Sequence, residues 1–206
     1  MVASLGATIK MPNGKDLAAL IVPTAYIPPT FPCPALAANN LCGIHANKPL
    51  RCRTMPFYPY REEQYQAETL SPRAGWACNT TPTAPVVFSH KKVVWREDFD
   101  RELAALRTQV PTMRTYATYM LRYTPLITGS LAKASIDRKG GQVITSLSSF
   151  LTATRNPDAQ GIAEQQLSVL NMYIEKTAES KELAEYHLQY TRWAKEMSFL
   201  ASTQTR

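Results

Sequence analysis

"LAEYHLQYTRWAKEMSFL", residues 183 to 200, is the stretch that decides the fold class. Leu183, Tyr186, Tyr190, Trp193, Met197 and Leu200 recur every three or four residues, the interval that stacks side chains along one face of an α-helix. Upstream, Leu167, Leu170 and Ile174 form a second stripe in a different phase. The slip between Ile174 and Leu183 predicts a break, or a helix that changes the face it buries. Packing within a helical bundle accounts for both stripes.

Moving further toward the N-terminus, "QVITSLSSFLTAT" offers a third helix through Val143, Leu147, Phe150 and Leu151, although its β-branched residues leave a strand open. "DRKGG" reads as a turn. "TMRTYATYMLRYT" carries the stripe Met113, Tyr116, Met120 and Tyr123 and stops before Pro125. Phe99, Leu103, Leu106 and Val110 predict another helix, which Pro111 should end or kink.

The pattern changes near residue 90. Before it lie most of the fifteen prolines and all four cysteines, with apolar runs broken by "YIPPTFPCP", "MPFYPY" and "TTPTAP". Proline fixes φ, removes a donor and stops helices, so this region predicts loops and turns, with one early helix after Asn13. The expected architecture is mostly α, with a proline-rich cysteine and metal-binding region at 1–90 and a helical region at 91–206. A metal crosslinking distant loops would supply order that regular structure does not.

Length and composition set bounds. A chain of 206 residues that is 45% hydrophobic can bury a core of its own. No run is long and apolar enough to span a membrane, and the first residues lack a secretory pattern, so a cytoplasmic location is expected. A reducing compartment disfavours disulfides. The formal net charge of +7 favours acidic partners, with the excess concentrated over 86–140, where ten lysines and arginines face five acids.

Cys33, Cys42, Cys52 and Cys78 therefore become the candidate site. Their gaps are wider than the CxxC pairs of a zinc ribbon or the steps of a bacterial ferredoxin, but four thiolates match a tetrahedral zinc or iron centre, or an iron–sulfur cluster. Lys48, Arg51 and Arg53 could offset the charge of bound thiolates, and His45 could replace a cysteine or donate to one. The competing reading is that all four are core thiols and His45 lies on the surface.

"CPALAANNLCGIHANKPLRCRTMPF" resembles the C-terminal half of the core motif of the YkgJ-like cysteine-cluster family, described as a zinc- or iron-chelating domain. The matching positions are Cys33, Leu36, Cys42, Ile44, Pro49, Cys52, Arg53 and Pro56, with His45 where tyrosine is usual and Lys48 in place of arginine. Cys78 in "GWACN" corresponds to a later cysteine of some members. The upstream run of close cysteines that usually opens the motif has no counterpart before Cys33. The resemblance covers about a quarter of the chain and implies cysteine-held zinc, iron or an iron–sulfur centre. Some relatives are linked to methylation of protein lysines, which implies a protein-modifying enzyme as an alternative.

No other catalytic constellation stands out. HExxH, a nucleophile elbow, a P-loop and a CxxC pair are all missing from the sequence, and His90 and His187 read as surface or packing residues. Closed thiolate sites serve structure or electron transfer, so the expected role is one of these, with a protein partner in a larger assembly. A basic module for nucleic acid or acidic protein is a further alternative, resting on "SHKKVVWR" at 89–96 and on the arginines and tyrosines of "MRTYATYMLRY".

Overall fold

The computed structural model describes residues 2–72, 79–137 and 141–203. These residues are mostly helical, as the heptad-like stripes predict. Contacts divide the chain into two compact units. One comprises residues 1–10, 16–21 and 33–113, and the other residues 11–15, 22–32 and 114–206.

The first unit opens with a short helix, α1 (Val2–Leu5), followed by strands β1 (Ala7–Lys10) and β2 (Asp16–Ala19), which pair antiparallel with Ala7 opposite Ala19 and Lys10 opposite Asp16. The helix expected after Asn13 is not formed. Gly14 takes a φ of 79° in the intervening turn, so the chain folds back and Asp16–Ala19 pairs with the strand before it. "DRKGG" lies largely outside the described residues.

After the cysteine-bearing turns comes a one-turn helix, α2 (Leu50–Thr54), and a 3-10 segment, Glu63–Leu70. Strands β3 (Phe88–Ser89) and β4 (Lys92–Val93) form a hairpin, with Ser89 opposite Lys92. Its core face packs into a cluster of Phe57, Val93 and Phe99, with Leu70, Val87 and Phe88 around it. Gln66 is fully buried beside these turns. Its side-chain carbonyl accepts from the Tyr58 amide at 2.9 Å and its NH2 donates to the Tyr58 carbonyl at 2.6 Å, so one side chain does for Tyr58 what a neighbouring strand would do.

Helix α3 (Arg96–Tyr123) begins in this unit and runs without interruption through Pro111. Proline removes one backbone donor and crowds the preceding turn, yet Val110 and Met113 on one side and Tyr116 and Ala117 on the other are all buried. Packing of that apolar stripe outweighs the roughly 3 kcal/mol that an interior proline costs.

In the second unit α3 is followed by α4 (Ile127–Ser135), α5 (Leu147–Ala153), α6 (Ala159–Thr177) and α7 (Ala184–Ser202). The expected third helix starts only at Leu147, capped by Ser146, whose hydroxyl accepts from the Ser149 amide; Val143 stays outside it and forms no strand. The break between Ile174 and Leu183 is present, and α6 and α7 fold into a hairpin. Ala163, Leu170, Tyr173, Tyr190 and Met197 are buried between them, flanked by Tyr186, Trp193 and Leu200 from the predicted stripe.

Proline-rich residues 22–32 form a strap on this hairpin. Tyr26 stacks on Tyr186 with ring centres 4.8 Å apart and meets Trp193 edge-on at 5.3 Å, while the Tyr190 hydroxyl donates to the Tyr26 carbonyl at 2.8 Å. Pro28 is fully buried, and Phe31 lies against Tyr173. Aromatic burial holds this stretch of loop in place.

Candidate metal centre

Residues 33–56 form a series of linked turns. The Leu36 amide donates to the Cys33 carbonyl at 2.9 Å, and Leu36 is bridged to Cys42 across an antiparallel pair. The Gly43 amide donates to Ala35 at 2.7 Å, and Ala37 and Leu41 close the turn between, where Asn40 takes a φ of 61° and the Asn39 side chain accepts from the Leu41 amide. Asparagine tolerates this conformation because its side chain can bond locally. Cys33 and Cys42 are thereby carried by one small two-stranded turn.

A second set of bonds ties that turn to Cys52. The His45 amide donates to the Cys42 carbonyl, leading into a 3-10 turn at His45–Asn47. Arg53 reaches back, donating from Nη2 to the Ala46 carbonyl at 2.8 Å and from Nε to the Lys48 carbonyl at 3.1 Å. Cys52 sits on α2 next to this arginine.

α2 is fixed in turn by Arg51. Its Nη1 donates to Glu102 Oε1 at 3.0 Å, its Nη2 donates to the Phe57 carbonyl, and its guanidinium lies 4.4 Å from the centre of the Tyr58 ring. Thr54 donates to the other Glu102 oxygen. Arg53 lies 4.0 Å from Asp98, one turn before Glu102 on α3. Two arginines that flank Cys52 thus meet carboxylates on one face of α3. Arg51 directs its charge into the protein, and Arg53 spends its donors on the Ala46 and Lys48 carbonyls.

Cys33 and Cys52 are exposed and Cys42 is half-buried, and all three are free. The core-thiol reading does not hold for them. His45 is exposed as well. Cys78 lies outside the described residues. Among the described residues no group of three or more His, Cys, Asp or Glu side chains is assembled to hold a metal. As a donor set the thiols fit zinc, iron or an iron–sulfur core, which soft sulfur ligands favour.

The two other histidines have local roles. His90 Nδ1 pairs with the Ser89 hydroxyl at 2.9 Å, and His187 Nδ1 lies 3.1 Å from the Ile174 carbonyl and 3.3 Å from the Thr177 hydroxyl. Glu97 and Asp98 head α3, where the helix dipole favours them. No helix among the described residues is long and apolar enough to cross a membrane. Compared with protein-family models, curated proteins and solved structures, the chain matches none.

What the sequence did not signal is the polar anchoring of α2. Glu102 is 7% exposed, more buried than Leu103 beside it in the expected apolar stripe, and its partner Arg51 is distant in the chain. A charged residue in a helical pattern reads as surface unless the partner is known.

Proposed function

We propose that this protein binds a metal through Cys33, Cys42 and Cys52, with Cys78 as a fourth donor, in a structural or electron-transferring role, as part of a cytoplasmic assembly. The observation that carries the reading is the accessibility of three free thiols on one short segment. Free cysteine is among the most frequently buried of residues, and three out of the core within twenty residues are better explained as ligands.

The linked turns support the same reading. They join the backbones of Cys33, Cys42 and Cys52 through a continuous series of hydrogen bonds, so a metal need draw together side chains on an already ordered segment. The entropy of closing the loops is then largely met by protein contacts, which favours binding. Zinc would crosslink the thiolates without redox chemistry, whereas an iron–sulfur core would supply an electron-transfer centre. Lys48 and Arg53 would reduce the repulsion among bound thiolates.

Elemental analysis with a visible spectrum, on protein purified without oxygen, tests the proposal. One zinc with no visible band supports the structural role, and iron with sulfide and broad visible absorbance supports the redox role. Cys52→Ser should lower the metal content markedly. Protein that neither carries nor takes up zinc or iron, or a Cys52→Ser variant with undiminished metal, would overturn it.

A further inference from the structure

The turn between β1 and β2 contains Asn13-Gly14, the single Asn-Gly pair of the chain. The Met11 amide donates to the Lys15 carbonyl at 2.9 Å, the Gly14 amide donates to the Met11 carbonyl at 2.9 Å, and Gly14 is left-handed at a φ of 79°. This is the three-residue hairpin loop in which a tight turn ends in a glycine bulge.

A further bond folds the Asn13 side chain back along the turn. Its Oδ1 accepts from the Lys15 amide at 3.1 Å. The ring that this bond closes contains both the Asn13 Cγ and the Gly14 nitrogen, so an electrophilic carbon and the nitrogen that can attack it share one compact turn. Asn13, Gly14 and Lys15 are all exposed. Apart from its own chain neighbours, nothing lies within 4 Å of the position where a side chain on Gly14 would begin. Water therefore reaches the turn, and no Cβ stands in the way of the Gly14 nitrogen.

We propose that Asn13 is a site of intramolecular succinimide formation in the folded protein, ageing to aspartate and isoaspartate. The Gly14 nitrogen loses its proton to hydroxide and attacks Asn13 Cγ. The new N–Cγ bond forms, the Cγ–Nδ2 bond breaks, and Nδ2 takes a proton from water and leaves as ammonia. One water then opens the ring. Addition at Cγ gives aspartate, and addition at the backbone carbonyl gives isoaspartate, whose chain runs on through Cβ and Cγ. The sum is amide and water to carboxylate and ammonium, with no oxidant or cofactor.

The turn assists at one step and resists at another. The Lys15 N–H already on Oδ1 stabilises the charge that this oxygen takes up during attack. The Gly14 bond to Met11 has to open, a local event in an exposed loop. Isoaspartate then inserts an extra backbone atom between Met11 and Lys15, whose bond closes the loop, so the product loosens the β1–β2 hairpin. The other asparagines lack the setting. Asn39, Asn40, Asn47, Asn79 and Asn171 precede residues with a Cβ, and Asn156 precedes a proline, whose nitrogen has no proton to lose. The proposal is independent of the metal reading.

The test is incubation of the full chain, folded and in urea, at body temperature and mildly alkaline pH in heavy-oxygen water, followed by peptide mass spectrometry. Asn13 should convert at least about tenfold faster than Asn40 or Asn47, the rate equivalent of the steric cost a Cβ imposes. Its products should carry one heavy oxygen and include isoaspartate. Conversion in the folded chain should stay within about tenfold of that in urea, because one exposed hydrogen bond has to open. The isoaspartyl fraction, separated by ion exchange, should exchange its Met11 amide faster than fresh protein does. Four results would overturn the proposal: Asn13 intact in the folded chain while it converts in urea, conversion spread evenly over the asparagines, aspartate without isoaspartate, which marks direct hydrolysis by water, or an isoaspartyl fraction with unchanged exchange at Met11.

Discussion

Arg51 and Glu102 are 51 residues apart in sequence and 3.0 Å apart in space, and their contact anchors the helix that carries Cys52. The Glu102 side chain is 9% exposed and takes its second bond from Thr54. A carboxylate in that setting tolerates burial only with its cation present. Arg51→Met should therefore destabilise the protein by about 2–3 kcal/mol, less than the roughly 3–5 kcal/mol of a fully buried pair because the Arg51 side chain is 34% exposed. The double change Arg51→Met/Glu102→Leu should cost less than the sum of the single changes, because neither charge is stranded. Urea unfolding of the three variants measures both effects. Additive costs would show that the two side chains act separately.

The helices were legible because their cause is local. Tyr186, Tyr190, Trp193, Met197 and Leu200 lie on one face of α7 as their spacing requires, and they are the residues that pack against α6. Pro111 was legible only as a hazard, since whether a helix survives a proline depends on the burial of residues such as Val110 and Met113. The proline-rich half was least legible. Its order comes from contacts far apart in sequence, including Tyr26 with Tyr190 and Arg51 with Glu102, and no local pattern encodes such pairs. The cysteines stand out in the sequence as a candidate set because of their chemistry, and only Cys33, Cys42 and Cys52 fall among the described residues. Their accessibility depends on how the turns fold.

Gln66 gives a second test of long-range polar order. It is fully buried, and its amide satisfies both backbone groups of Tyr58. Gln66→Leu keeps the bulk and leaves the Tyr58 N–H without a partner, while the Tyr58 carbonyl still accepts from the Arg61 amide at 2.8 Å. One stranded donor costs about 1–3 kcal/mol, and a loss in that range is expected. Amide exchange at Tyr58 should accelerate in step with the loss measured by urea. Retained protection at Tyr58 would mean that another group had taken over its bonds.

The tip of the β3–β4 hairpin holds a strained residue. Lys91 has a φ of 62°, where a Cβ costs roughly 1–2 kcal/mol, and glycine returns part of that gain as greater freedom in the unfolded chain. Lys91→Gly should raise stability by about 0.5–1 kcal/mol in urea unfolding. A destabilised Lys91→Gly variant would show that the lysine side chain supports the turn.

Tyr190 makes the second unit sensitive to alkali. Burial pushes its phenol up to about 12, with the neighbouring Tyr173, Tyr186 and Tyr26 adding to the effect, and its hydroxyl donates to the Tyr26 carbonyl. Burial raises Tyr26 as well, with Glu185 contributing next. The folded state thus favours the protonated phenol more than the unfolded chain does, where tyrosine titrates near 10. The stability from this preference is present in full below about pH 10 and is lost as the pH rises toward about 12, a change of roughly 2–3 kcal/mol. Tyr190→Phe cannot ionise at this position. It should be less stable than wild type at neutral pH by about 1 kcal/mol, for the lost hydrogen bond, and should overtake it toward about pH 12. Guanidinium unfolding of both proteins across that range is the measurement, and parallel curves would assign the alkaline loss to other tyrosines.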